Sequence, residues 1–229
     1  MLPAFSFMSI PDNTDQNSVS FQGEVYRKLI HIFSAAIPIG YLFLDRDIVL
    51  YIIVPITFLM LLVEITKYRI DFIYHIYKRI FSFLLRDYEF DRTKLRINGA
   101  SWLMLGDIFC ILFFPKYIAV SGILLLSLGD SLSGIMGRLY GRKLYAPNRS
   151  YVGTITFFVV GIIIVFVTPK YFYSAAEYSM AASVILVTTI VDSLNLPMND
   201  NFAIPVVFSG LLYILYLIFF PGIFNGTLY

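Results

Sequence analysis

Seven apolar runs, at roughly 29–44, 48–66, 99–115, 117–137, 151–168, 180–194 and 202–220, decide what this chain can fold into. In hydrocarbon, every backbone N–H and C=O must be satisfied within its own segment or in a closed barrel. The ten-residue alternation that barrel strands need is absent, so the runs predict an all-α, polytopic membrane bundle of about seven transmembrane helices. Several runs fall short of the ~20 residues of a straight span, which suits helices packed inside a bundle. Charged residues make up only 14% of the chain, against about 25% in a soluble domain. A net charge of +2 is too small to suggest a nucleic-acid partner, one cysteine rules out an internal disulfide, and two histidines with it offer no zinc-ligand spacing.

Basic residues set the orientation. Arg27 and Lys28 precede the first run, eight more lie between the second and third, and four lie between the fourth and fifth. Fourteen of the seventeen therefore share one side, and only Arg46, Lys116 and Lys170 fall on the other. The basic side is read as cytosolic, with the N-terminus inside and the C-terminus outside. Residues 1–22, which lack a basic signal-peptide start, are expected to be a mobile polar leader, and 23–229 a single integral membrane domain. After the second run, Ile70, Ile73, Tyr77, Ile80, Phe81 and Leu84 recur at helical spacing. Asp71, His75, Lys78, Arg79, Ser82 and Arg86 oppose them, as in an amphipathic helix lying in the cytosolic headgroup region.

The informative residues are polar ones at membrane depth. Asp130 stands about seven residues from the cytosolic end of its run, roughly 10 Å deep, and Asp107 roughly 12 Å deep from the same side. Intramembrane acids are costly and face a partner, a cavity or a reaction site. Gly129, Ser133, Gly137 and Gly141 follow at intervals of four. The first two read as a helix-packing face; Gly137 and Gly141, beside a basic loop, equally suit close approach to a phosphate. "EVYRKLIH" puts Arg27 or Lys28 on one helical face with His31. The loop "VDSLNLPMNDN" carries Asp192, Asp200 and Asn201 and no basic residue. Opposite a basic loop, it suits a divalent cation, with the oxygen ligands magnesium prefers, bridging to phosphate.

Taken together, "EVYRKLIH", "LLRDYEFD" before "INGASWLMLG", "LSLGDSLSGIMGRLYG", "NRSYVGT" and "VDSLNLPMNDNFAIPVVFSG" resemble the CTP-dependent lipid-alcohol kinases: dolichol kinase, phytol kinase and the yeast-type diacylglycerol kinase. The resemblance runs from about Glu24 to Tyr213. It implies CTP and magnesium as co-substrate and cofactor, and a membrane lipid alcohol as acceptor. It also implies a cytosol-facing site in a bacterial inner membrane or the endoplasmic reticulum. It brings Arg86, Ser150, Gly153 and Thr154 into the nucleotide- and phosphate-binding set. The chain departs from the family twice. Arg149 stands where a lysine is usual, and Asn199-Asp200-Asn201 where Asp-Asp-Asn is usual.

The residues agree with phosphoryl transfer, which needs charge neutralisation and in-line positioning more than covalent chemistry. Arg27, Lys28, Arg138 and Arg149 supply positive charge, magnesium falls to Asp130 and Asp200, and Asp130 or Asp192 accepts the hydroxyl proton. Asp107 lies on the possible lipid-hydroxyl side. Two alternatives stand beside this reading. One is a phosphatidate cytidylyltransferase-like enzyme, which also uses CTP. The other is a secondary transporter with an intramembrane aspartate ion site, although the polar groups sit off-centre and no repeat is visible.

Overall fold

The computed structural model describes residues 21–82, 97–146, 149–194 and 198–224. The helices are α1 (Phe21–Ser34), α2 (Ala36–Phe43), α3 (Arg46–Thr66), α4 (Asp71–Phe81), α5 (Gly99–Phe113) and α6 (Lys116–Leu124). A π-helical turn, Leu125–Asp130, joins α6 to α7 (Ser131–Tyr140); α8 (Tyr151–Val167), α9 (Ala175–Ser193) and α10 (Asp200–Phe219) complete the set. Every apolar run is helical, and the fold is the all-α membrane bundle expected. Among the described residues, four helices (46–66, the continuous 116–140, 175–193 and 200–219) are long and apolar enough to cross a membrane. α5 and α8 are shorter apolar helices.

The first run departs from expectation. Arg27 and Lys28 lie inside α1, on the helix expected to carry them with His31, but that helix extends back at least to Phe21 and is interrupted at Ala35 before α2. Pro38 sits in the first turn of α2, where its missing N–H costs least. Two short strands, β1 (Leu144–Ala146) and β2 (Arg149–Ser150), pair antiparallel in the connection that had read as a plain basic loop. They are too short to show a period. The expected leader, apart from its last two residues, lies outside the described residues, and so does Arg86.

The 116–140 helix is the pillar of the bundle, with most of residues 118–133 buried, whereas α3 buries few residues and turns Tyr51, Phe58 and Leu59 outward. Lipid tails are as apolar as leucine, so helices in a bilayer associate through close packing and interhelical hydrogen bonds. The sequence provides both. A Cβ on Gly106 would fall 2.9 Å from the Asn201 carbonyl, and one on Gly122 2.9 Å from the Pro205 carbonyl. α10 thus lies directly on α5 and α6. α4 has three faces rather than two. Tyr77 is buried against the bundle, with the Lys67 ammonium 4.1 Å from its ring centre. Phe72, Ile76 and Ile80 form an exposed apolar row, and His75, Lys78 and Arg79 are exposed on the polar side.

At the end of the bundle away from these basic groups, Glu177 is fully buried. It accepts from the Tyr171 and Phe172 amides (2.9 and 2.8 Å) and from the Tyr216 hydroxyl (2.6 Å), closing a capping box with Ser174. Nearby Lys170 donates to the Thr168 carbonyl and hydroxyl. Burial lowers its pKa to about 8, although Glu177 pulls the other way. Between about pH 8 and the ordinary lysine value of about 10.4, the unfolded chain therefore binds more protons than the folded one. Stability from this group rises with pH across that window. The melting temperature of the wild type minus that of Lys170→Met is expected to increase from pH 7.5 to pH 10 in detergent. A flat difference would show that burial does not shift this lysine.

Candidate active site

The residues singled out by their chemistry meet at one end of the bundle, where α5, α8 and α10 begin and α9 ends. Three side-chain caps fix those starts. Asn98 accepts from the Ser101 amide (2.9 Å), Ser150 from the Gly153 amide (3.1 Å) and Asn199 from the Asn201 amide (3.0 Å). Capping satisfies amides that the first turn leaves free.

Asp130 ends the π turn and faces α1. Lys28 Nζ donates to its Oδ2 at 2.5 Å and to its main-chain carbonyl at 3.2 Å. His31 Nδ1 lies 3.8 Å from the same Oδ2, and the Ser133 hydroxyl donates to the carbonyl at 3.0 Å. The Lys28 stem crosses α7 at Gly134, where a Cβ would come within 2.6 Å of its Cε. A larger residue at 134 would displace the lysine from the carboxylate. The pair is not sealed, since its side chains are 19% and 15% exposed.

Arg149, at the end of the hairpin, spans two helices. Nη1 donates to Asp192 Oδ1 on α9 and Nη2 to Asp200 Oδ2 on α10, each at 3.0 Å. A guanidinium fork can hold two carboxylates at once; an ammonium is a point charge. Burial alone would ease its proton off, but Asp192 and Asp200 more than reverse this and hold the Arg149 pKa above its ordinary value. Asp192 is nearly buried and Asp200 is 42% exposed.

The remaining expected site residues divide between site and scaffold. Arg27 reaches over the start of α5, with Nη2 3.3 Å from where a Gly99 Cβ would stand, and Arg138 is exposed at the end of α7. The Asn201 amide donates to the Gly99 carbonyl at 2.7 Å, tying α10 to α5. The space above Gly137 and Gly141 is taken by Ser150, whose hydroxyl also donates to the Gly137 carbonyl, and Gly153 lies against Gly137. These glycines serve the α7–α8 crossing, the packing alternative raised by their spacing. Gly129 does the same against Phe157. Thr154 shares a hydrogen bond of 2.8 Å with the Tyr145 hydroxyl. Asp107 stands apart: it is fully buried, and neither carboxylate oxygen has a hydrogen-bond partner.

Two groups escaped the sequence reading. Glu64, buried near the end of α3, accepts from the Asn98 amide at 3.1 Å, and the Asn98 side chain donates to the Tyr77 hydroxyl at 3.1 Å. This links α3, α4 and α5 beside the site. Glu64 interrupts an apolar run, the same signal that marked Asp107 and Asp130. The second group is Ser34 and Ser127, whose hydroxyls meet at 3.0 Å.

For a divalent cation, the donor chemistry fits: carboxylate oxygens from Asp130, Asp192 and Asp200 at one end of the bundle. Among the described residues, however, no group of three or more His, Cys, Asp or Glu stands ready to hold one. Each of these carboxylates is paired instead with Lys28 or Arg149.

A helical membrane bundle with cations and carboxylates gathered at one end defines the class. No family model matches the chain, and no solved structure matches it. It is 30% identical over 189 residues to an uncharacterized protein of Rickettsia prowazekii, covering 81% of this chain and 91% of that protein. It is 29% identical over 160 residues to CTP-dependent diacylglycerol kinase 1 of Saccharomyces cerevisiae, covering 68% of this chain and 53% of the kinase. It is also 29% identical over 129 residues to phytol kinase 1, chloroplastic, of Arabidopsis thaliana, covering 50% of this chain and 42% of that kinase. The chain thus spans about half the length of these two kinases. The relatives whose activity is named are lipid kinases, the diacylglycerol kinases among them CTP-dependent.

Proposed function

We propose that this protein transfers the γ-phosphate of CTP to the hydroxyl of a membrane lipid alcohol of the diacylglycerol, phytol or polyprenol (dolichol) type. The observation that carries the reading is the Arg149 fork between Asp192 and Asp200 at the same bundle end as the Lys28–Asp130 pair. A triphosphate needs convergent cations, and Arg149, Lys28, Arg27 and Arg138 supply them. The N-terminus of α8, immediately after Arg149, adds backbone amides and a positive dipole end. A hydroxyl that becomes a nucleophile must lose its proton, and Asp130 and Asp192 are the carboxylates placed to accept it.

Magnesium, when bound, would neutralise charge on the phosphates, and Asp130 and Asp200 are the residues proposed to hold it. The site faces the cytosol of a bacterial inner membrane or the endoplasmic reticulum, on the strength of the fourteen basic residues that share one side. α4 lies in that membrane surface, its Phe72–Ile76–Ile80 row in the acyl boundary and Lys78 and Arg79 toward headgroups.

Label placement tests the reaction. CTP labelled at the γ-phosphorus is expected to label the lipid, with soluble CDP as the other product. CTP labelled at the α-phosphorus is expected to leave the lipid unlabelled. Lipid labelled from the α position, with pyrophosphate released, would assign the chain to cytidylyl transfer. A panel of diacylglycerol, phytol and polyprenol, assayed in the same way, identifies the acceptor.

A further inference from the structure

The 116–140 helix is α-helical except for the six residues that lead into Asp130. A π turn amounts to an α-helix with one residue inserted, and such turns recur at functional sites. This one is tied to α1. Ser127, within the turn, is fully buried, and its hydroxyl lies 3.0 Å from that of Ser34. The Ser34 hydroxyl already donates its single proton to the His31 carbonyl at 2.6 Å. Toward Ser127 it must therefore accept, and Ser127 is the donor. A hydrogen-bonded chain thus runs from the π turn through Ser34 to the main chain of His31. The His31 ring and the Lys28 ammonium, one and two turns further along the same face of α1, both meet Asp130. The Asp130 main-chain carbonyl, at the end of the turn, takes a hydrogen bond from Lys28 as well.

We propose that the Ser34–Ser127 hydroxyl pair and the π turn that carries it are positioning elements for Asp130. They set the depth of α1 against the π turn so that Lys28 and His31 come level with the Asp130 carboxylate. The proposal rests on Asp130 serving phosphoryl transfer. Neither serine touches the reacting groups; both act through Asp130 and its partners.

The test uses the full chain in detergent with CTP and a lipid alcohol. Ser127→Ala and Ser34→Ala are each expected to lower kcat by about tenfold, a fraction of what a displacement of about 1 Å costs. KM for CTP and the melting temperature should stay unchanged. Because the two hydroxyls form one link, the double variant should be no worse than either single one. Amides of residues 25–34 should also exchange hydrogen faster in Ser127→Ala than in wild type. Deleting Leu126 converts the π turn to α-helix while keeping both flanking faces in register, and is expected to lower kcat by about a hundredfold. If that deletion does not fold, the serine variants decide. Unchanged kcat in both serine variants, or additive losses in the double variant, would overturn the proposal. Unchanged amide exchange in Ser127→Ala would overturn it too. Should wild type transfer no label from CTP, the kinase reading falls, whereas the exchange measurement still decides the pairing.

Discussion

Asp130→Asn is expected to lower lipid phosphorylation by about a thousandfold, at the upper end of what losing one preorganised electrostatic group costs an active site. The substitution keeps the shape and removes the charge. Lys28, 2.5 Å from Oδ2, loses its counter-ion, and so does His31 if it is protonated. Any role of the carboxylate in taking a proton or holding a cation disappears at the same time. Part of the effect will be on stability, because an ammonium left unpaired in a partly buried site is costly. The double variant Lys28→Gln with Asp130→Asn separates the two contributions: it leaves no orphaned charge, so it should recover melting temperature without recovering turnover. Asp107→Asn is the control. That carboxylate is as deep but has no hydrogen-bond partner, so its neutral amide should change turnover little. Near-full turnover in Asp130→Asn would leave the Lys28–Asp130 pair with a packing role alone.

The contrast between these two aspartates shows what the sequence makes legible. Both announced themselves as acids in apolar runs, and depth placed them level; their surroundings separate them. Asp130 is followed by Ser133 and Gly134, whose small volumes admit Lys28 from α1, whereas the Asp107 oxygens find no hydrogen-bond partner among the described residues. A helical period says which face a residue occupies but not which helix lies opposite. That partner choice decided Asp130, Arg149 and Asn201. Gly137 and Gly141 were ambiguous for the same reason: spacing of four marks close approach, and only the fold shows that Ser150 is what approaches. The break at Ala35 and the π turn before Asp130 left no compositional trace, because neither contains a glycine–proline signal strong enough to interrupt a helical pattern. The bundle itself was legible because hydrocarbon allows so few backbone solutions.

Arg149→Gln is expected to lower kcat/KM by at least about a hundredfold, because the charge proposed to meet the phosphates is lost together with the link between α9 and α10. Arg149→Lys should lie between the two, with KM for CTP raised by about tenfold, since an ammonium neutralises charge but cannot fork. The structure carries a second expectation. Arg149 now sits with one arm on Asp192 and the other on Asp200, so one of the two carboxylates proposed to hold magnesium, Asp200, is already paired with a guanidinium. Phosphates that draw the guanidinium away uncover both acids. Asp130 and Asp200 would therefore hold magnesium most favourably together with the nucleotide, where the ion would offset phosphate charge beside Arg149. In the absence of nucleotide, Mn²⁺ alone should bind wild type weakly and Arg149→Gln more tightly, and the gain should vanish when Asp200→Asn is added. Paramagnetic titration of free Mn²⁺ reads this without any turnover. Equal Mn²⁺ binding by wild type and Arg149→Gln would mean that the guanidinium does not guard these carboxylates, and that its contribution ends at the phosphates.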